Sequence, residues 1–342
     1  MAYIDVIKRI KKGDISSIYL LAGTEQYLIE DTLQAIMKQT LTEDEVEFNL
    51  SKLDMKEHSV EVAIEEAYTF PFMGGKRVVI LKDAYFFSTA KESSKVEHDL
   101  KKLEKYLEDP AEQTVFIIHA PYDKLDERKK IVKLAKKNGE FLDGSPLEEK
   151  ELHQWVTERC KENGVSIESD AIELLLELTS AALMVMASET KKIAIHVGEN
   201  GVITKDIVES LVPRSLEQNI FALVEGVVKR NIDKSWKIYL DLVKQKEEPL
   251  KIIALMVRQF RILYQVKQMT QQGYSQKQIA GQLKLHPYVV KLAATEVRQF
   301  EDDELLHLLD ELATMDYHIK TGRIEKGLAV EMFFSKRARV RV

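Results

Sequence analysis

Up to about Asp143 the chain alternates between two kinds of segment, and after Pro146 it stops doing so. Short β-rich runs at Ile18 to Leu21, Val46 to Leu50, Val78 to Leu81 and Thr114 to His119 are separated by amphipathic stretches. That rhythm predicts an α/β domain built on a mainly parallel sheet. Phe141-Leu142-Asp143 supplies a short last strand, and Gly144-Ser145-Pro146 has the turn chemistry of a linker. Beyond it no segment reads as a strand. Helical patterns cover Glu148 to Glu162, a run capped by Ser169 or Asp170 and reaching about Leu178, and Leu183 to Val197, predicting a small three-helix module. A second boundary falls at Val212-Pro213-Arg214. Helices are then predicted over Ile220 to Lys229, Ile232 to Lys244, Pro249 to Gln271, Ser275 to Leu283, Pro287 to Arg298 and Asp302 to about His318. The expected organisation is therefore an α/β domain over 1–144, a small helical domain over 145–212 and an all-α domain over 213–342.

The first strand leads into Ala22-Gly23-Thr24-Glu25-Gln26-Tyr27-Leu28-Ile29-Glu30-Asp31, a loop and helix start placed where a nucleotide-binding protein carries its phosphate loop. Such a loop needs several glycines to aim backbone N–H groups, a lysine for the terminal phosphates and a hydroxyl for magnesium. Here there is one glycine, no lysine, and two acids, Glu25 and Glu30, that would repel a triphosphate. The layout of an ATPase is present without its chemistry. With 342 residues the chain can form two or three cores. Charged residues at 31% and hydrophobic ones at 45%, with no signal-peptide pattern and no apolar run long enough to span a bilayer, predict a cytoplasmic globular protein. Cys160 is the only cysteine and reads as a core filler beside Trp155 and Val156. His58, His119, His196 and His286 lack the close pairing used for zinc, so no metal site is expected.

A net charge of -6 argues against a protein that wraps duplex DNA by bulk electrostatics. Any nucleic-acid contact must be local, and Lys320, Arg323, Lys326, Lys336, Arg337, Arg339 and Arg341 form a basic cluster near the end, readable also as a solvated tail. Ser275 to Val290 has the spacing of a helix-turn-helix. Its second helix, however, offers Tyr288, Lys291 and Thr295, without the Arg, Asn or Gln forks that discriminate bases. The helix Pro249 to Gln271 is apolar over much of its circumference and must be surrounded, either by its own domain or by neighbouring subunits. Finally, the helix Ser59 to Thr69 is stopped by Pro71, and Gly74-Gly75 loosens the chain before the strand at Val78. Phe72 and Met73 are left at a loop tip, either tucked back as a plug or presented to a partner.

Taken together these segments resemble the delta subunits of the bacterial DNA polymerase III clamp loader. The resemblance rests on Gly23-Thr24-Glu25-Gln26-Tyr27-Leu28-Ile29-Glu30, Pro71-Phe72-Met73 feeding Lys76-Arg77-Val78-Val79, Gln218-Asn219-Ile220-Phe221 and Glu247-Glu248-Pro249-Leu250-Lys251-Ile252. It extends through Arg258-Gln259-Phe260-Arg261, Leu285-His286-Pro287-Tyr288 and Ile319-Lys320-Thr321-Gly322, and so spans essentially the whole chain. It departs at Ser180-Ala181-Ala182-Leu183, where relatives often carry Asn-Asp-Leu. The resemblance implies an AAA+ (RecA-like) α/β domain, a helical lid and a helical collar that joins subunits into a ring-like assembly. It implies a subunit of the polymerase III holoenzyme that has no catalytic site, cofactor or ATP hydrolysis of its own. Implied partners are the beta sliding clamp, the motor (tau/gamma) and delta-prime subunits, and primed DNA in the assembled complex. By position, Phe72 and Met73, with Phe70 and Pro71, match the hydrophobic wedge that enters a pocket of the clamp and favours its opened form. Lys320 and Arg323 are the candidate DNA contacts. A P-loop ATPase and a helix-turn-helix regulator are the alternatives from other functional classes.

Overall fold

The computed structural model describes residues 3–89, 95–300 and 302–338. The chain forms two compact units, Met1–Pro146 and Leu147–Val342. The first contains α1 (Tyr3–Lys11), β1 (Ile18–Ala22), α2 (Gln26–Thr40), α3 (Glu43–Asn49), β2 (Leu50–Asp54), α4 (Val60–Tyr68), β3 (Arg77–Lys82), α5 (Leu100–Glu108), β4 (Thr114–Ala120), α6 (Lys130–Asn138) and β5 (Glu140–Asp143). All five strands run parallel in the order β2-β3-β4-β1-β5. Helices cover both faces, which explains why β1 and most of β3 and β4 are continuous apolar runs buried along their length rather than alternating ones. Ile18, Leu20, Val79, Leu81, Phe116 and Ile118 build one face of this core with Leu103, Tyr106 and Val132.

One predicted strand is misplaced. Val46 to Leu50 is mostly the end of α3, and the strand begins only at Leu50. The cause is a capping box: Thr42 N–H donates to Glu45 Oε2 at 2.8 Å, satisfying the helix start over the apolar alternation that follows.

The second unit holds α7 (Glu149–Glu162), β6 (Ser166–Ile167), α8 (Ser169–Thr179), α9 (Leu183–Val197), β7 (Val202–Ile203) and α10 (Lys205–Leu211). It continues with α11 (Leu216–Val228), α12 (Ile232–Lys244), α13 (Pro249–Gln271), α14 (Gln276–Leu283), α15 (Pro287–Glu296), α16 (Asp302–Lys320) and α17 (Lys326–Ala338). Four expectations are corrected here. Two residues of β6 pair in parallel with two of β7, so the segment after Pro146 is not free of strands. α10 makes the small module four-helical, and Glu168 rather than Ser169 or Asp170 is the N-cap of α8. The basic end is not a tail as far as it is described: Lys336 and Arg337 lie on α17, while Arg339 and Arg341 fall outside the described residues.

Ser180 and Ala181, at the departure from the expected Asn-Asp-Leu, both adopt left-handed backbone, φ 53° and 56°. Apart from glycine, Asn and Asp are among the residues that tolerate that region best, which explains the preference at this turn. α13 is the hub of its own domain. Ile252, Ile253, Met256, Phe260, Leu263 and Val266 are buried, and α11, α15, α16 and α17 pack around it. No helix of the described residues is long and apolar enough to cross a membrane.

Candidate functional site

α4 ends where Thr69 turns extended and returns its N–H to the carbonyls of Glu65 and Glu66. The following tip projects its apolar side chains outward: Phe70 is 78% exposed, Phe72 77% and Met73 43%. Pro71 between them is half-buried. None of these residues fills its own domain, so the plug expected as one option is not what the chain does. Large apolar groups this exposed are rare at a single loop, and contiguous exposed apolar surface marks an interaction site. Two aromatics not singled out from sequence widen the surface. Phe48, at the end of α3, is exposed and packs its ring 5.2 Å from that of Phe72, and exposed Tyr68 sets its edge on Tyr106 at 5.3 Å.

Under the exposed side chains the backbone is held firmly. Asn49 is fully buried; its Oδ1 accepts the Phe72 N–H at 2.8 Å and its Nδ2 donates to the Met73 carbonyl at 2.5 Å. Gly74 has φ +72°, and a Cβ there would run into the carboxylate of Glu45. Arg77, buried at the start of β3, donates to Ser51 Oγ at 3.1 Å and to the Phe48 carbonyl at 3.4 Å, and pairs with Glu66. The bond from Ser51 and the guanidinium of Arg77 hold the Glu66 carboxyl below its ordinary range. α3, β2, α4 and β3 are thus tied together beneath a loop whose apolar side chains are exposed.

The loop after β1 is closed by its own domain. Gly144 N–H donates to the Ala22 carbonyl at 2.5 Å and Glu25 N–H to the Gly144 carbonyl at 2.8 Å. Gly23 has φ +131°, and a Cβ on it would fall on the Gly144 backbone. The Glu25 carboxylate sits at the N-terminus of α2 and accepts the Tyr27 N–H at 3.4 Å, so a side-chain anion occupies the place a phosphate would take. Burial pushes the Glu25 carboxyl up.

Lys320 ends α16 and Arg323 follows in the next turn, each with a neighbour of its own: Lys320 Nζ is 2.7 Å from Asp316 Oδ2, and Arg323 stacks over the Tyr317 ring at 5.4 Å. Lys336 and Arg337 both pair with Glu311. In the helix-turn-helix-like pair, Lys291 on α15 is 2.5 Å from Glu149 on α7, Tyr288 is half-buried and Val290 and Ala293 are buried. That helix faces its own unit rather than standing clear as a groove-reading helix must. Among the described residues no group of three or more His, Cys, Asp or Glu could hold a metal ion.

Comparison with known proteins gives the family and the fold. The family model described as DNA polymerase III, delta subunit matches residues 19–143, and that for the C-terminal domain of the delta subunit matches 217–337. A third, described as a middle domain, matches 148–210. The chain is 43% identical over 329 residues to DNA polymerase III subunit delta of Bacillus subtilis (strain 168), covering 96% of this chain and 95% of that one. The chain belongs to the DNA polymerase III delta-subunit family. An Aquifex aeolicus (strain VF5) protein named probable DNA polymerase III subunit delta is 26% identical over 75% of this chain and 72% of its own. Among solved structures, the Bacillus subtilis DNA clamp loader delta protein superposes with a TM-score of 0.88 at 42% identity, covering 98% of this chain and 99% of that one. The delta-family fold, an α/β domain followed by a mostly helical part, is therefore the fold of this chain, and its functional class is that of a clamp-loader subunit in DNA replication.

Proposed function

We propose that this delta subunit binds the beta sliding clamp by inserting Phe72 and Met73, flanked by Phe70 and Pro71, into an apolar pocket, and that it holds the clamp better open than closed. Only such a difference in affinity can move the clamp toward its open form. In this reading residues 1–144 engage the clamp and residues 145–212 form a lid. Residues 213–342 form a collar for the motor (tau/gamma) and delta-prime subunits, and the assembly works in the cytoplasm. Lys320 and Arg323 approach primed DNA in that assembly. The subunit neither binds nor hydrolyses ATP, so nucleotide dependence comes from its neighbours.

What carries the reading is the tip itself: three exposed apolar side chains on a backbone clamped from below. Burying a Phe or Met is worth roughly 1.5–3 kcal/mol, and a central aromatic anchor often costs at least ~2 kcal/mol when truncated. Replacing Phe72 and Met73 together by Ala should weaken clamp binding ~100-fold or more. Because both side chains are exposed, thermal melting should stay where it is in the wild type. Wild-type affinity for a purified clamp in the double variant would remove the assignment.

A further inference from the structure

We propose that Asn49 is the positioning residue of the clamp-binding tip, its buried amide fixing the Phe72–Met73 backbone in the binding-ready shape before any partner arrives. The inference rests on the clamp-binding reading above and adds to it a residue that does not touch the partner.

The tip has a problem that its sequence creates. Phe70, Phe72 and Met73 point to solvent, so no core packing holds them, and Gly74-Gly75 immediately follow and leave the chain free to take many shapes. A loop sampling many shapes loses affinity, because binding must then order it. Asn49 answers this with one side chain. Its carboxamide accepts from the Phe72 N–H and donates to the Met73 carbonyl, one acceptance and one donation on successive residues. An amide does both at once at any pH, whereas an ionised carboxylate only accepts and an aliphatic group does neither. Asn49 is itself immobilised, fully buried at the point where α3 passes into β2, with the Phe48 carbonyl before it held by Arg77. Phe48 then packs its ring beside Phe72. The charged groups around this cradle are Glu45 on α3, which lies against Gly74, Arg77 on β3, and Glu66 on α4, which pairs with Arg77.

The test uses the full chain, the purified sliding clamp and three variants: Asn49→Ala, Asn49→Asp and the Phe72→Ala/Met73→Ala pair. Hydrogen exchange at the Phe72 amide is read in the free protein, and clamp affinity and thermal melting are read alongside it. Asn49→Ala should lose protection at Phe72 and bind the clamp about tenfold or more weaker, as expected when two hydrogen bonds are removed. Asn49→Asp supplies the readout that a merely structural role would not give. Ionised, its second oxygen repels the Met73 carbonyl; protonated, it donates to that carbonyl and still accepts from Phe72. Burial raises the carboxyl's pKa, so relative to wild type its clamp affinity should recover as the pH is lowered from ~7.5 to ~5.5. Should Phe72 stay protected in Asn49→Ala, or should protection vanish while clamp affinity holds and the Phe72/Met73 pair still abolishes binding, the role of Asn49 falls and the clamp-binding tip stands. Wild-type affinity in the Phe72→Ala/Met73→Ala protein would overturn both.

Discussion

Glu296 ends α15 with its side chain buried, and its Oε2 has no hydrogen-bond partner among the described residues. Burial, reinforced by the nearby charge of Glu225 and only partly offset by Lys229 and Lys234, pushes its carboxyl up to about 8. An acid whose pKa is higher folded than unfolded favours the native state when protonated. That contribution is complete below the ordinary carboxylate range and is lost as the pH rises toward about 8. Replacing Glu296 by Gln should therefore flatten the fall in stability between pH ~5 and ~8 and leave the variant ~1–3 kcal/mol more stable than wild type at the alkaline end. Urea denaturation of both proteins across that range checks it, and parallel slopes would show that the carboxyl does not titrate there. At the same scale, the exposure of Phe72 and Met73 was half-legible in sequence, since Pro71 and Gly74 mark a tip but not which way its side chains face. Asn49 was not legible at all. Its importance lies in two bonds to residues more than twenty positions away, and no local pattern records them.

Among the elements, Leu183–Val197, Ile232–Lys244 and Pro249–Gln271 match their predicted limits at both ends, because each has a local boundary signal: Gly198 after the first, the Asn231 side-chain cap before the second, Pro249 at the start of the third. Elements without local signals were missed. β6 and β7 are two residues each, too short for any period, and exist only through their pairing with each other. α17 was hidden by its basic residues, although Val330, Phe333 and Phe334 are buried in the helical core. The loop from β1 to α2 was readable as lacking phosphate chemistry. What replaces the phosphate, the Gly144 carbonyl and the Glu25 carboxylate, was readable only in part, through Glu25. With the N–H groups of Gly23, Glu25 and Tyr27 already engaged and a carboxyl group at the helix start, titration with magnesium and ATP should release no heat. Saturable micromolar binding, abolished when Gly23 to Gln26 is altered, would contradict that expectation.

At the scale of the whole molecule, the acidic net charge argues against DNA binding by bulk electrostatics, so the proposed DNA contact falls to a few placed cations. Replacing both Lys320 and Arg323 by Ala should lower the salt dependence of primed-DNA binding by the loader, by about 0.9 in the log–log slope for each phosphate no longer neutralised. An unchanged slope would mean that these side chains serve only their neighbours Asp316 and Tyr317. The sheet order has a different kind of consequence. β1 is among the first segments to be synthesised, yet its two neighbours are β4 and β5, the last strands of the domain, with Ile18 opposite Phe116 and Tyr19 opposite Glu140. On a growing nascent chain β1 must therefore wait unpaired until β4 has been made, and it keeps one open edge until Asp143 follows. Pairings so distant in sequence form slowly. The α/β unit of this subunit is thus complete only when its final strand arrives, and until then its open strand edges need shielding from other chains.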